Sequence, residues 1–320
     1  MQRIAVTGSS GYVGGGLLRL LRERYPAAEI LGLDVVRPRD PSGHEFALLD
    51  MRRPEFAERL IAFRPDTLIH MAFVVPPRRN ERKMHETNIG GSRNVLAAAA
   101  AIRPQRLMIC SSATALGARA DNPVPMDDRS PLRNDIRFSY AAHKIELEAL
   151  TAQYAAEHSE TLVSWVRPCV VLGPNADNYL SRMLLNCPWV VRLDGFDSPL
   201  QFVHEDDVSA ACCAILERGA TGPFNITPVD SLPLSEIAKR TNRWNWSLGL
   251  RTARVLTWLA WQSRFPLHEY PPTFLDYIRY PWVAAPNRLR NELGFEFRHS
   301  TSSTLDLVLE HTRRRKAAKS

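Results

Sequence analysis

The sequence predicts an α/β fold: a doubly wound parallel sheet with a smaller, mainly helical lobe beside it. Short apolar segments alternate with amphipathic helical segments over the first half of the chain, an alternation typical of βαβ units. A turn rich in glycine, Gly8-Ser9-Ser10-Gly11-Tyr12-Val13-Gly14, joins the first apolar segment to the first helical one. Asp34 ends the second apolar segment. These features predict a sheet whose strand ends form a ligand site.

Five segments have the length and apolar character of buried strands: Arg3–Thr7, Ile30–Asp34, Thr67–Ala72, Arg106–Ser111 and Thr161–Arg167. Between them, the spacing of apolar residues predicts four helices: Gly14–Tyr25, Pro54–Phe63, Asn88–Ala101 and Tyr140–His158. Crossovers of this length between parallel strands are right-handed. Phe202–Asp207 and Phe224–Ile226 resemble two further strand ends.

The composition is that of an ordinary globular protein. The 320 residues are 45% hydrophobic and 23% charged, enough chain for about two domains. Part of the net charge of +7 comes from a basic tail, residues 313–316 and Lys319. We interpret this tail as a solvated terminus and expect no nucleic-acid partner, because no aromatic residues are interleaved with it.

Cysteine usage and hydropathy indicate neither a metal site nor a membrane span. The five cysteines form no CxxC pair and no metal-ligand spacing, so we expect reduced thiols and no metal: Cys110, Cys169, Cys187, Cys212 and Cys213. The most apolar late stretch, Val255–Trp261, is too short to span a bilayer. No signal peptide is recognisable before the first strand, and we expect a cytoplasmic location.

The glycine turn has the context of a phosphate-binding loop. Gly8 permits the tight turn, Gly11 lets the backbone approach a pyrophosphate, and Gly14 allows close packing of the helix on the sheet. The N-terminus of the following helix offers free N–H groups and a positive dipole end. A turn without a ligand would use the same glycines, but the strand before it and the helix after it favour a Rossmann-type site.

Asp34 indicates which dinucleotide binds. It follows the loop by about 20 residues, the position of an acid that binds the ribose hydroxyls of adenosine. A carboxylate there repels the additional phosphate of NADP, so we predict NAD. Arg37 and Arg39 lie close behind and would partly compensate. The alternative role for Asp34 is that of a turn residue after a strand.

The βα alternation weakens after Gly173, where Pro and Trp residues become frequent. We therefore predict a dinucleotide-binding domain formed by residues 1–172 and 200–227. The substrate-binding lobe is then formed by residues 173–199 and 228–320.

With its TGxxGxxG spacing, the sequence resembles the extended short-chain dehydrogenase/reductase family, which contains the nucleotide-sugar epimerases. The resemblance extends over roughly residues 1–300 and rests on motifs in the family's order. They are Thr7–Gly14, Leu49–Arg52, Ile69–Ala72, Asn88–Gly91, Ser111–Ala113, Tyr140–Lys144, Arg167-Pro168 with Gly173-Pro174, Phe202–His204 with Asp206–Val208, and Gly222–Ile226.

The resemblance implies further roles around an NAD cofactor. Asp50 would contact the adenine, and Asn88 would begin the fourth helix at the edge of the active site. Other residues are implied to bind the cofactor: Ser10, Tyr12, Val13, Met51, Met71, Ala72, Asn88, Tyr140, Lys144, Pro168 and Val170. Members of the family often dimerise through two helices of the sheet domain, so a homodimer is expected.

Ser112, Tyr140 and Lys144 form the predicted catalytic trio. Tyr140 and Lys144 are four residues apart on a predicted helix and share one face. A neighbouring ammonium group favours the phenolate, which can accept the proton of an alcohol; the phenol can protonate a carbonyl in the reverse direction. Ser112 ends a strand at the ligand-binding edge, where its hydroxyl would orient the same substrate oxygen.

Other chemistry has weaker support in the sequence. No GxSxG motif is present, which argues against a hydrolase. We expect His143 to lie on a different helix face from Tyr140 and Lys144, because the side chains of adjacent helix residues point in different directions. We assign His204, Asp206 and Asp207 to structure rather than to metal binding, because they match a structural motif of the family.

Two departures from the family pattern narrow the reaction. Ala113-Thr114 follow Ser112 where sugar dehydratases carry Asp-Glu, so dehydration is not expected. The segment Pro199–His204 lacks the arginine that grips a nucleotide diphosphate, and only Arg182, Arg192 or Arg288 would replace it. The lobe is instead rich in residues that suit an apolar pocket or the lobe's own core: Trp189, Val190, Val191, Phe196, Trp258, Trp261 and Phe265.

Three functions remain open. The first, which we favour, is an NAD-dependent oxidoreductase that acts on a hydroxyl or ketone of a small, rather apolar substrate. The second is a nucleotide-sugar 4-epimerase with the same Ser-Tyr-Lys trio. The third is a non-catalytic nucleotide-binding regulator, against which the intact Tyr-Lys pair argues.

Overall fold

The structure is a computed structural model that describes residues 1–38, 43–133, 137–176, 179–265 and 268–318. The strands are β1 (Arg3–Thr7), β2 (Glu29–Asp34), β3 (Glu45–Leu48), β4 (Thr67–His70), β5 (Arg106–Cys110), β6 (Leu162–Pro168), β7 (Val170–Leu172), β8 (Trp189–Leu193), β9 (Pro199–Leu200), β10 (Phe202–His204), β11 (Gly222–Ile226), β12 (Leu232–Pro233) and β13 (Trp244–Leu248).

The α-helices are α1 (Tyr12–Arg24), α2 (Pro54–Phe63), α3 (Glu81–His85), α4 (Gly91–Ile102), α5 (Ser139–Glu157), α6 (Tyr179–Asn186), α7 (Glu205–Arg218), α8 (Leu234–Arg240), α9 (Leu250–Ser263), α10 (Leu275–Arg279), α11 (Asn287–Leu293) and α12 (Thr301–Ala317). Short 3-10 turns cover Ala113–Leu116 and Pro272–Phe274, and one wide helical turn covers Glu86–Gly90. In the part of the chain that the structure describes, no helix is both long and apolar enough to cross a membrane.

The large sheet is parallel and doubly wound, as predicted. Its strand order is β11-β6-β5-β4-β1-β2-β3, and every neighbouring pair is parallel. The order reverses between β1 and β4, whose ends Thr7 and His70 lie opposite each other. In such sheets, ligands bind outside the carboxyl ends of the strands at the point of reversal. The fold therefore places the glycine loop and the end of β4 at one site.

Helices cover both faces of the sheet and form two apolar cores. On one face, α1 and α7 pack together, with Leu17 and Leu21 of α1 beside Val208 and Ile215 of α7. On the other face, α2, α4 and α5 form a layer over the same sheet. Strands buried on both faces read as continuous apolar runs, which is why most of the sheet could be predicted.

One strand was not predicted, and one prediction about these elements is wrong. The edge strand β3 was not expected, because its four residues are only partly buried and form no apolar run. Asn88 does not begin a helix; it lies inside helical backbone that starts at Glu81 and continues through the wide turn into α4. The helix starts earlier because Asn80 caps it, its side chain accepting a hydrogen bond from Lys83 N at 2.9 Å.

The smaller lobe combines helices with short strand pairs. β8 and β13 pair in parallel, and α8, α9 and α10 pack nearby. The last two helices lie elsewhere: α11 contacts β11 and α7, and α12 contacts β10 and β7. They therefore pack on elements of the sheet domain, and the two-part division of the chain stays a prediction.

A buried ion pair joins α5 to β6 behind the site. Arg167 Nε and Nη2 donate to the two carboxylate oxygens of Glu148 at 2.8 and 2.6 Å. Both side chains are almost fully buried, at 4% and 3% exposure. Ser111 and Trp165 also donate to Glu148, at 2.5 and 2.9 Å, so every carboxylate oxygen is satisfied. A pair of this kind is costly to break, because removal of one charge leaves the other buried and unpaired.

We predict that Glu148→Gln lowers the free energy of unfolding by about 3 kcal/mol, because Arg167 loses its counter-charge in a buried position. Glu157→Gln, on the exposed end of the same helix, is the control and should change it by less than about 0.5 kcal/mol. Urea unfolding of the three proteins measures both effects. Equal losses of unfolding free energy in the two variants would show that the buried ion pair stabilises the fold no more than the exposed carboxylate does.

Candidate active site

A cleft of about 500 Å³ opens where the loops after β1, β2 and β4 meet. Its walls include most of the residues predicted to bind the dinucleotide: Gly8, Ser10, Gly11, Asp34, Asp50, Met51, Met71 and Ala72. Phe73, Val74, Arg78 and Lys83 complete the side nearest the helical segment that follows β4. The structure therefore brings these predicted residues together around one cavity, whose size suits a ligand.

The loop after β1 admits only glycine at two of its positions. Gly8 has φ +69°, and a Cβ atom there would lie 2.5 Å from Ala72 N. A Cβ atom on Gly14 would collide with the carbonyl oxygen of Gly8. Gly14 thus allows α1 to pack directly against the loop. The sequence analysis predicted instead that it allows the helix to pack on the sheet.

The first turn of α1 presents its backbone donors without a side-chain cap. Gly11 is the N-cap residue in extended conformation, and among the described residues no side chain caps the N–H groups that follow it. Such a helix N-terminus combines unsatisfied N–H groups with the positive end of the helix dipole. The residues present therefore fit a dinucleotide whose phosphates lie against the loop.

Asp34 joins the end of β2 to the glycine loop. Its Oδ2 accepts from Ser10 N at 2.9 Å, and its Oδ1 accepts from Val35 N at 2.7 Å. The half-buried carboxylate remains in the wall of the cleft, where it can accept further bonds from ribose hydroxyls. Arg37 is exposed just beyond the strand, whereas Arg39 lies outside the described residues.

The far end of the cleft holds Asp50 and Met51. Arg52 donates to Asp50 through Nε and Nη2, and this interaction lowers the pKa of the carboxyl. Met51 is buried and packs against Gly91 at the start of α4. The contact of Asp50 with adenine and the cofactor contact of Met51 stay predictions, and both residues line the cleft.

Asn88 positions one wall of the cleft from beneath. Its Oδ1 accepts from Val74 N at 2.7 Å and its Nδ2 donates to Val74 O at 3.1 Å. The side chain is fully buried and does not line the cleft. Asn88 therefore holds the segment after β4 in place.

Besides Asn88, six residues predicted to bind the cofactor do not line this cleft: Tyr12, Val13, Tyr140, Lys144, Pro168 and Val170. The Tyr12 side chain turns away toward Glu205; burial first, and then this carboxylate, raise the pKa of its phenol. Val170 instead lines a separate pocket in the smaller lobe. Tyr12 instead lines a neighbouring cavity with Ser10 and Gly11, and the backbone N–H groups of Tyr12 and Val13 lie in the first helical turn.

The three residues of the predicted catalytic trio converge at the end of β5. Ser112 Oγ accepts from Thr114 N at 3.2 Å and from Thr114 Oγ1 at 2.9 Å, which leaves its own proton to donate. Burial raises the pKa of the Tyr140 phenol, and the neighbouring Ser112 hydroxyl, a smaller effect, lowers it. The structure therefore holds Tyr140 as a neutral acid beside a serine hydroxyl.

Lys144 lies beneath the tyrosine on the same face of α5. Its Nζ donates to Cys110 O at 2.7 Å and lies 5.8 Å from the centroid of the Tyr140 ring. The side chain is 2% exposed, and burial lowers the pKa of its ammonium group to about 8. A positive charge at this distance favours the phenolate of Tyr140 when the proton leaves.

Phe73 is a site residue that the sequence analysis missed. Its ring lines the cleft, lies 3.5 Å from Lys144 Nζ and meets the Tyr140 ring edge to face at 5.9 Å. An ammonium group over an aromatic face is stabilised by the ring's quadrupole. Phe73 therefore joins the cleft to the trio; its position just after β4, next to Ala72, was the available signal.

The histidines near the site do not reach Tyr140. His143 Nδ1 lies 3.4 Å from Asn88 Nδ2, and its ring packs on His85. His204 caps α7 by accepting from Asp206 N at 3.2 Å. Asp207 accepts from the backbone N–H groups of Arg298 and His299, an anchoring role of the kind expected for this segment.

The smaller lobe encloses a second cavity of about 380 Å³, called here the lobe pocket. Its walls are almost wholly apolar and include Val170, Trp189, Leu200, Leu234, Ile237, Leu256, Phe274 and Tyr277. Phe274 and Tyr277 also pack on Phe138, at 5.7 and 5.3 Å between ring centroids, and Phe138 packs on Tyr140 at 6.1 Å. A continuous aromatic cluster thus connects this pocket to the trio.

The lobe pocket explains where the bulky residues of the lobe lie. Trp189, Val190, Val191 and Phe265 line it, whereas Phe196 packs on Tyr280 outside it. Trp258 is 52% exposed, and Trp261 lies under the guanidinium of Arg79. The residues singled out in the sequence therefore divide between pocket wall, lobe core and surface.

Residues 4–227 match the NAD dependent epimerase/dehydratase family. This span includes the glycine loop, Asp34 and the whole trio. The chain belongs to this family. NAD is accordingly the cofactor that membership of the family assigns to the cleft, in agreement with the fit of the loop and Asp34.

Two relatives are similar in sequence to this chain over nearly all or about half of its length. An uncharacterized protein of Mycobacterium tuberculosis (strain ATCC 25618 / H37Rv) is 25% identical over 313 residues, 95% of this chain and 82% of that protein. The 4-hydroxy-2-methyl-3-oxo-4-farnesyl-3,4-dihydroquinoline-1-oxide ketoreductase of Stigmatella aurantiaca is 28% identical over 184 residues, 57% of this chain and 54% of that protein.

Solved structures of the same fold cover nearly the entire chain. The UDP-glucose 4-epimerase of Thermus thermophilus, in complex with NAD, has a TM-score of 0.75 at 21% identity and covers 98% of this chain and 99% of its own. The dTDP-glucose 4,6-dehydratase of Bacillus anthracis, also with NAD, has a TM-score of 0.76 at 13% identity over 99% and 98%. At these identities the likeness shows the fold.

We predict that Gly14→Ala weakens NADH binding at least about tenfold, because the added methyl group collides with Gly8 and displaces the loop. Gly90→Ala is the matched control, since a Cβ atom there meets nothing within 4 Å. Titration of NADH fluorescence measures both. If the two variants bind NADH equally well, the close packing of the loop does not determine cofactor affinity.

The lowered pKa of Lys144 predicts a stability that changes with pH. An unfolded lysine keeps its proton to a higher pH than the buried one, so between about pH 8 and 10.5 the unfolded state binds more protons. The free energy of unfolding should therefore rise with pH in this window, relative to Lys144→Met, by at most about 1.4 kcal/mol per pH unit. A difference between the two proteins that stays constant over this range would contradict the shift.

Proposed function

We propose that the protein is an NAD-dependent oxidoreductase that transfers hydride between the nicotinamide and a ketone or hydroxyl of a small, apolar substrate. The observation that carries this proposal is the lobe pocket, an almost wholly apolar cavity joined to Tyr140 through Phe138. In this proposal the apolar body of the substrate lies in the pocket and its oxygen reaches the serine and tyrosine hydroxyls past Phe138, which packs between the pocket wall and Tyr140. The size of the pocket suits one small molecule.

The trio supplies the proton chemistry of such a reaction. Bound NADH would supply the hydride. The Ser112 hydroxyl donates to the substrate oxygen and orients it, and the neutral phenol of Tyr140 donates the proton that the oxygen takes up on reduction. Lys144 stabilises the phenolate that remains through its charge. In the direction of oxidation, the phenolate accepts the alcohol proton.

The surroundings of the pocket disfavour a nucleotide diphosphate. Gln201, in the segment before β10, uses its side-chain amide to bind Pro228 O and Ala284 O and N, so it is committed to the fold. Two arginines that could replace the missing one are paired with carboxylates: Arg182 with Glu269 and Arg288 with Glu292. A diphosphate would have to break these pairs, because it needs charge-assisted donors of its own.

The relative from Stigmatella aurantiaca supports the same substrate class. Its name describes a ketoreductase that acts on a dihydroquinoline oxide, a ketone that carries an apolar farnesyl chain. We extend to this chain only the class: a ketone or alcohol on an apolar, partly aromatic body. Dehydration is not proposed, because Ala113 and Thr114 offer no acid or base beside Ser112.

We predict that Tyr140→Phe lowers turnover of an apolar ketone about 100-fold to 10,000-fold, because the general acid is lost. Tyr154→Phe, a second buried tyrosine on α5, is the control and should keep wild-type turnover. The assay follows NADH absorbance with a farnesyl-substituted quinolone ketone as substrate, and NADH binding confirms that each variant is folded.

The same preparation tests the alternative of a nucleotide-sugar 4-epimerase. Interconversion of UDP-glucose and UDP-galactose without net change in NADH, and no turnover of apolar ketones, would overturn the proposal in favour of the epimerase. Equal turnover by Tyr140→Phe and Tyr154→Phe would overturn the assignment of the catalytic acid.

A further inference from the structure

Helix α9 turns apolar side chains outward. The helix buries Ala253 and Thr257, which are 2% and 7% exposed. Val255 and Leu259 lie on its opposite side and are 57% and 50% exposed. A surface helix of a globular protein normally places charged or polar residues there, so this helix has the pattern of one that contacts an apolar phase on its outer side.

Neighbouring aromatic residues extend this surface. Trp244 and Trp246 of β13 are 65% and 48% exposed, and their rings stack at 6.2 Å between centroids. Trp246 also stacks on Trp189 at 5.6 Å, which fixes the aromatic pair to β8. Together these exposed residues form what we call the lobe face: Trp244, Trp246, Val255, Leu256, Trp258, Leu259 and Phe265.

The segment that forms the lobe face carries positive charge and no carboxylate, and the exposed Asp194 lies at its edge beside Ser247 and Gly249. The segment from Asn242 to Phe265 contains four arginines and neither Asp nor Glu. Three of these arginines, Arg251, Arg254 and Arg264, are exposed on or next to α9. Exposed apolar groups bordered by arginines complement a surface that is apolar inside and anionic outside.

The lobe face is continuous with the lobe pocket. Trp246, Leu256 and Phe265 are about half exposed and also line the pocket. The rim of an apolar cavity is thus part of an apolar, cationic surface. An apolar molecule would pass from a phase in contact with this surface into the pocket without crossing water.

We propose that the lobe face docks the protein on the surface of an anionic phospholipid bilayer. Val255, Leu259 and Trp258 would lie at the boundary of headgroups and acyl chains, where tryptophan is favoured, with Arg251 and Arg254 on lipid phosphates. The attachment is peripheral. The docking goes beyond the proposed function and does not depend on it, although it gives an apolar substrate a direct route to the pocket.

A second copy of the chain fits this surface less well. Two copies that met through the lobe face about a two-fold axis would bring the same arginines together, with no acid in this segment to oppose them. The homodimer expected from the family would instead use helices of the sheet domain. An anionic lipid surface covers the apolar residues and neutralises the arginines at the same time.

The test is co-sedimentation of the full chain, loaded with NADH, with vesicles of 3:1 phosphatidylcholine and phosphatidylglycerol or of phosphatidylcholine alone. We expect binding to the anionic vesicles that weakens as salt is raised. Val255→Ser with Leu259→Ser should weaken the partition roughly tenfold or more. Val229→Ser with Leu307→Ser, two exposed apolar residues outside the lobe face, is the matched control and should bind as wild type.

Arg251→Gln with Arg254→Gln separates the charge from the apolar contact. It should abolish the preference for phosphatidylglycerol over phosphatidylcholine alone. The proposal is overturned if wild type stays in the supernatant with both vesicles, or if the lobe-face and control variants bind equally. It is also overturned if sedimentation velocity shows that the lobe-face variant converts a dimer to a monomer. None of these readouts needs turnover, so failure of the docking and failure of the proposed reaction are distinguishable.

Discussion

The close contact of two backbone turns at the carboxyl edge of the sheet determines where everything else in the site lies. The turn at Gly8 follows β1, the turn at Ala72 follows β4, and a Cβ atom at Gly8 would lie within 2.7 Å of two backbone atoms of Ala72. Met71 N donates to Thr7 O at 3.1 Å and Ala72 N donates to Thr7 Oγ1 at 3.3 Å. Because the turns are held together, the glycine loop and Phe73 form walls of one cleft.

A chain of buried hydrogen bonds supports that contact from below. Ser92 Oγ donates to Asn88 O, so it accepts from His70 Nε2 at 2.9 Å. Burial lowers the pKa of His70 to about 3, so the ring is neutral, and its Nδ1 accepts from the Thr7 hydroxyl at 2.7 Å. The chain runs from α4 to β1 with each donor and acceptor matched. Such a satisfied buried network fixes the relative positions of the elements that it joins.

Much of the sheet and cleft could be predicted because local sequence determines them. Continuous apolar runs identify buried parallel strands, and a glycine is required wherever φ is positive or a backbone approaches closely, as at Gly8. Predictions failed where distant contacts decide. Nothing near Asn88 in the sequence shows that its amide is used to hold Val74. The lobe pocket requires strands and helices from β7 to α10 to meet, and the aromatic cluster around Phe138 depends on tertiary packing alone.

We propose that the active site of this protein accepts an apolar ketone rather than a nucleotide diphosphate. The most direct measurement is the thermal midpoint of the NAD-loaded protein with UDP, dTDP or GDP and, separately, with a farnesyl-substituted quinolone ketone. A ligand at 100 times its dissociation constant adds about 2.7 kcal/mol of stability, which is readily seen. We expect the thermal midpoint to rise with the ketone and to stay unchanged with the nucleotides. A rise with a nucleotide and none with the ketone would contradict it.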